Sequence, residues 1–141
     1  MAAQTFGASV AQHDPARLLR RTLFADALFS TLGGAGMLLA AGPIAAWLGL
    51  GAGWPIALIG LDVLILGVWI GYEARRTPIA AGRVRLMLAL NIAWVVASVL
   101  LLLFDPFGLT TAGKWAVAGL ADAAAVVALL EYLGLRRLSR A

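Results

Sequence analysis

Apolar positions along the chain neither alternate nor recur on one narrow stripe. They fill four nearly continuous runs, 22–41, 54–72, 86–104 and 115–133, parted by short segments rich in Gly, Pro, Asp and Arg. Each run is about 20 residues long, enough at 1.5 Å per residue to cross a hydrocarbon core of roughly 30 Å. The pattern predicts an all-α polytopic membrane protein, a bundle of four transmembrane helices.

The boundaries carry their own markers. Gly42-Pro43 stops the first helix, Pro55 suits the first turn of the second, and Asp105-Pro106 ends the third. Trp54, Tyr72, Trp115 and Tyr132 stand at helix ends, where an amphipathic ring prefers the headgroup level. The segment 44–50, with Trp47, reads as a short interfacial turn. Residues 1–16 are small and polar without periodicity and read as a flexible cytoplasmic tail, with Asp14-Pro15 placed to cap a short basic helix. Residues 17–141 then form one transmembrane domain. A cleaved signal peptide fits poorly, because Asp26 interrupts the first apolar run and that run exceeds a short signal-peptide core.

Composition narrows the class. Of 141 residues 62% are hydrophobic and only 13% charged, where a soluble domain carries about a quarter charged. An ordinary water-soluble enzyme is thereby excluded. The chain has no cysteine and one histidine, His13, so the ligands that hold haem, zinc, copper or iron–sulfur clusters are missing, and no cofactor or metal is expected. No phosphate-binding loop, HExxH, GxSxG or Ser/His/Asp set is present, and no enzymatic activity is expected. The sequence pI near 10.7 suggests nucleic acid only if the basic residues share one soluble face. Here apolar runs separate them, so no nucleic-acid partner is expected.

Those basic residues orient the chain instead. Arg17, Arg20 and Arg21 precede the first span, Arg75, Arg76, Arg83 and Arg85 lie between the second and third, and Arg136, Arg137 and Arg140 follow the fourth. In a four-span chain all of these lie on one side, against Lys114 alone on the other. The positive-inside rule then places both termini in the cytoplasm, N-in and C-in. The same clusters can attract anionic lipid headgroups.

The two helical hairpins match loosely, Asp26 falling on Asn91, Trp54 on Trp115, Asp62 on Asp122 and Arg75-Arg76 on Arg136-Arg137. This reads as a duplicated hairpin, or as the aromatic belts and arginines of any four-span protein.

Candidate chemistry rests on the intramembrane acids, since a carboxylate at a helix centre costs about 2.5–3.5 kcal/mol on insertion scales. Asp62 and Asp122 lie about 12 and 10 Å from the ends of their spans opposite the arginines, and Asp26 and Asn91 form a second polar layer nearer the arginines. Asp26 shares a stripe with Ser30, Gly33, Gly34 and Met37, small residues that admit another helix. Gly60, Gly67 and Gly71 lie away from Asp62, so the second helix packs on one face and presents its acid from another. Two readings stand open. Asp62 and Asp122 meet in the core and bind a proton or small cation, or each acid is hydrogen-bonded and fixes helix register. For Asp26, Arg21 and Arg85 are near enough in depth to pair. Glu73 and Glu131 stand beside arginines at the boundary, where exposed ion pairs are the simplest expectation.

The Asp26 region, Asn91-Ile92-Ala93-Trp94-Val95-Val96-Ala97-Ser98 and Leu130-Glu131-Tyr132-Leu133-Gly134-Leu135-Arg136-Arg137 resemble a widespread group of small bacterial four-span integral membrane proteins. The resemblance implies the fold and a bacterial cytoplasmic membrane, and carries no activity. The functional expectation is a non-enzymatic bundle, either an accessory or scaffolding subunit of a larger membrane complex or a homo-oligomer. The alternative is a proton- or cation-coupled small-solute transporter using Asp62 and Asp122.

Overall fold

The structure, a computed structural model, describes residues 16–139. The expectations for the N-terminal tail, His13, Asp14-Pro15 and Arg140 lie outside the described residues. Five helices follow in order: α1 (Ala16–Leu39), α2 (Ala41–Leu48), α3 (Trp54–Arg75), α4 (Ala81–Phe104) and α5 (Thr111–Leu138). No strand occurs among the described residues. α1, α3, α4 and α5 are each long and apolar enough to cross a membrane.

Most of the long helices extend past the expected apolar runs because their polar ends are helical too. α1 begins at Ala16, six residues before 22, and carries Arg17, Arg20 and Arg21 in its first turns. α5 begins at Thr111, where the Thr110 hydroxyl caps it by accepting from the Gly113 N–H at 3.0 Å, and continues through Arg136 and Arg137. The segment 44–50 is not a lone interfacial turn: residues 44–48 belong to a separate helix, and Gly49 and Leu50 follow its end. Pro43 falls in the first turn of α2, where its missing N–H has no intrahelical partner to lose. The helix ends at Gly49, whose φ of 86° favours a residue without a Cβ. The Thr110 hydroxyl donates to Trp47 O at 2.8 Å and the Thr110 N–H to Leu48 O at 3.0 Å, pinning α2 to the start of α5.

α1 is the central element, packed on α3 along one side and on α5 along the other, while α4 packs on α5. The α1–α3 contact is backbone to backbone. A Cβ built on Gly34 would stand 2.5 Å from the Leu64 nitrogen, and one on Gly67 2.6 Å from the Thr31 nitrogen. Where apolar tails are as good a solvent as leucine, such close approach is what holds helices together. The glycine face of α3 is thus its packing face, as the sequence predicts. On the other flank Gly134 of α5 admits Leu19, to whose Cβ a built Cβ would stand at 2.9 Å.

α3 and α4 are consecutive long helices whose backbones stay apart along most of their length, and they meet through side chains only at the arginine-rich end, where Met87 packs with Ile70 and Arg83 reaches Glu73. Two apolar clusters plug the bundle, one around Leu19, Leu23, Ile70 and Met87 at the arginine-rich end and one around Ala45, Leu48, Ile56 and Leu109 at the other. Outward positions are large and apolar, among them Leu28, Leu32, Ile65, Val68, Leu103 and Leu129. A surface of that kind suits lipid rather than water.

Candidate functional site

Between the two plugs lies a cavity of about 400 Å³ to which α1, α3, α4 and α5 all contribute. Its walls are largely apolar, with Phe29, Leu66, Leu90 and Trp94 prominent, and Asp26, Ser30, Asp62 and Asn91 supply the polar atoms.

Asp26 is held on the α1 stripe that the spacing predicts, with Ser30 one turn on. The Ser30 hydroxyl donates to Asp26 Oδ1 at 3.2 Å, while Oδ2 is buried without a partner. The residue is 5% exposed. Neither Arg21 nor Arg85 pairs with it, contrary to expectation, because both guanidinium groups stay at the exposed helix ends.

Across the bundle, the Asn91 Nδ2 of α4 donates to Glu131 Oε2 of α5 at 3.2 Å. Asn91 also lies against the Asp26 carboxyl. Glu131 is 0% exposed and its Oε1 has no partner. The expectation of an exposed ion pair there is corrected. The face of α5 that turns inward bears Ala121, Ala128, Glu131 and Gly134, so the carboxyl is buried one turn short of the arginines. Glu73, the other boundary acid, is buried as well, but keeps its pair: Arg83 Nη1 approaches Oε1 at 2.5 Å and Arg76 Nη1 at 3.8 Å.

The structure does not bring Asp62 and Asp122 together. Asp62 lines the cavity; Asp122 does not, and is exposed on the outer side of α5. The acids matched between the two hairpins therefore occupy different surroundings, whereas Asp26 and Asn91, also matched, share one site. The pairing of Gly67 with Thr31 and of Gly60 with Met37 sets Asp62 beside residues 35–36 of α1. Asp62 thus lies about 14 Å along the axis from Asp26, at 1.5 Å per residue. The cavity carries a carboxyl towards each end, with aromatic and aliphatic walls between.

Sequence reasoning missed Glu131. The signal was present in the Ala121, Ala128, Gly134 spacing that shares its face, but Ala118, Gly119 and Ala125 make a similar face beside Asp122. No group of three or more His, Asp or Glu side chains placed to hold a metal ion occurs among the described residues. Of the remaining arginines named from sequence, Arg20 donates to Ala74 O at 2.6 Å and to Arg76 O at 3.3 Å, and Arg75, Arg136 and Arg137 are exposed.

Compared with protein-family models, curated proteins and solved structures, the chain matches none of them.

Proposed function

We propose that the protein is a multi-pass, non-enzymatic protein of the bacterial cytoplasmic membrane, with both termini in the cytoplasm, that binds a proton or small cation between its helices and couples its movement to a small solute. The observation that carries this reading is Asp26: a carboxyl with one oxygen unpartnered, buried to 5% exposure, on the wall of a cavity and without a basic neighbour. A carboxylate in an apolar interior is stabilised by a proton or a cation, and an intramembrane acid marks an ion or proton path by default. Glu131 and Asn91 enlarge that site, and Asp62 supplies a second acid towards the far end of the cavity. The wide spacing of the α3 and α4 backbones away from the Ile70–Met87 cluster supports access from the side. The arginine asymmetry, with Lys114 alone at the opposite end, supports the orientation.

The test is proton flux into liposomes that carry the protein and a trapped pH dye. Gly33 lines the cavity and a Cβ there meets nothing within 4 Å, so Gly33→Leu fills the cavity without disturbing helix packing. Gly36 is equally open but does not line the cavity. Flux is expected to fall several-fold in Gly33→Leu and to persist in Gly36→Leu; equal flux in both variants refutes transport through the cavity.

A second reading, an accessory subunit or homo-oligomer, is favoured by one observation. Asp122 is exposed on a helix long and apolar enough to span the membrane. A polar partner on another helix would relieve the cost of a carboxylate facing lipid. Purification from native membrane in mild detergent separates the readings: a stoichiometric larger partner favours the subunit, and its absence leaves transport.

A further inference from the structure

The arginines at the end of the bundle where α1 begins and α5 finishes differ in what they touch. Arg20 closes the C-terminus of α3 through the Ala74 and Arg76 carbonyls. Arg83 and Arg76 share the Glu73 carboxylate, and Arg76 also lies 5.6 Å over the Tyr72 ring. Arg85 and Arg136 have no acidic partner among the described residues, and both line a groove of about 590 Å³ between the first turns of α4 and the last turns of α5. On the bundle side of them the groove is walled by Leu88, Tyr132 and Leu135, and Leu138 lines it beyond Arg136. No acidic side chain lines it.

Such a site is divided in two along the helix axes. Two guanidinium groups offer several N–H donors to a tetrahedral oxyanion, and the leucines below offer an aliphatic bed. A soluble anion would use only the first part and an acyl chain only the second. We propose that this groove binds one anionic phospholipid, its phosphate diester held between Arg85 and Arg136 and its acyl chains lying along Leu88 and Leu135. The choice of a lipid over a free phosphate follows from the continuity of the groove with the outward apolar surface of α4 and α5, where Leu86 and Leu129 are exposed. The inference requires only that the helices cross a membrane, and is independent of the cavity.

The test uses the full chain in detergent micelles with equal amounts of phosphatidylglycerol and phosphatidylcholine of the same chain length, with retained lipid counted by native mass spectrometry. Each basic residue near an anionic headgroup contributes about fivefold in affinity. Phosphatidylglycerol is expected to be retained in preference, and Arg85→Gln and Arg136→Gln each to lower that retention about fivefold. Arg75→Gln removes an exposed arginine that is not part of the groove and is expected to leave retention unchanged. Arg85→Lys, which keeps the charge, is expected to restore most of it, and unchanged helical circular dichroism checks that the variants fold. Soluble glycerol phosphate, the headgroup without its chains, is expected not to compete. Equal retention of both lipids, an equal loss in Arg75→Gln, displacement by glycerol phosphate, or displacement by an acidic peptide as effective as the lipid each overturns the proposal.

Discussion

Asn91 and Glu131 are joined across the α4–α5 interface by one hydrogen bond of 3.2 Å that satisfies Oε2 of the carboxyl and leaves Oε1 bare. Forty residues apart in sequence, they tie two long helices together below the arginine layer. Replacing Asn91 by leucine leaves a fully buried carboxyl without its one donor, a loss of about 1–3 kcal/mol. Replacing both partners, Asn91→Leu with Glu131→Leu, removes the polar group along with its unmet need. Unfolding of the two single variants and the double variant in mixed micelles is expected to show the double variant destabilised by less than the sum of the singles.

Gly33 and Gly34 are neighbours in sequence with opposite demands. A Cβ on Gly34 would sit 2.6 Å from the Gly60 carbonyl oxygen, so Gly34→Ala must part α1 from α3, at a cost of about 1–3 kcal/mol. Gly33 faces the cavity and has nothing within 4 Å. Gly33→Ala is expected to be neutral or slightly stabilising, since alanine is the better helix former by about 1 kcal/mol. Thermal unfolding of both variants in the same detergent checks the contrast.

Much of this was legible in the sequence. Apolar length alone predicts the four long helices, and the Asp26, Ser30, Gly34 stripe predicts that α1 admits another helix closely, though not that α3 is the one. What could not be read was the rotation of α5. That helix carries small residues on two faces, one with Asp122 and one with Glu131, and local spacing does not say which face meets α1. The deciding contact is Gly134 against Leu19, a long-range fit between residues with no shared local pattern. α2 was hidden for a related reason: eight residues containing Gly42 and Pro43 have weak helical preference, and what fixes them is the pair of hydrogen bonds from Thr110.

Asp62 and Asp122 matched in sequence and differ in space, so their conservative variants should differ too. Both are exposed, and neither Asp62→Asn nor Asp122→Asn is expected to impair folding. Asp62→Asn, on the cavity wall, is expected to lower proton flux in dye-loaded liposomes several-fold. Asp122→Asn is expected to leave flux at the wild-type rate, and to alter instead the size of the particle on gel filtration if a partner helix covers that face.

The loop between α4 and α5 supplies a pH dependence outside the spans. The Lys114 ammonium 2.7 Å from Asp105 Oδ2, and the Leu109 N–H 2.8 Å from Oδ1, hold the Asp105 carboxyl below its ordinary value. A carboxyl whose value is lower in the folded chain adds stability that is fully present above the unfolded value and is lost as pH falls through the folded one. Asp105 has a φ of 41°, a conformation asparagine also tolerates, so Asp105→Asn removes the charge and keeps the turn. The difference in melting temperature between wild type and Asp105→Asn is expected to be small and constant near neutrality, the pair being partly exposed, and to vanish in acid.

The carboxyl site itself is tested most directly by proton flux through liposomes containing the Asp26→Asn/Glu131→Gln double variant, which keeps the size of both side chains and removes both acids. Flux reduced to that of protein-free liposomes, with unchanged helical content and with Asp122→Asn still at the wild-type rate, is the expected result. Wild-type flux in the double variant would contradict a proton or cation held by Asp26 and Glu131.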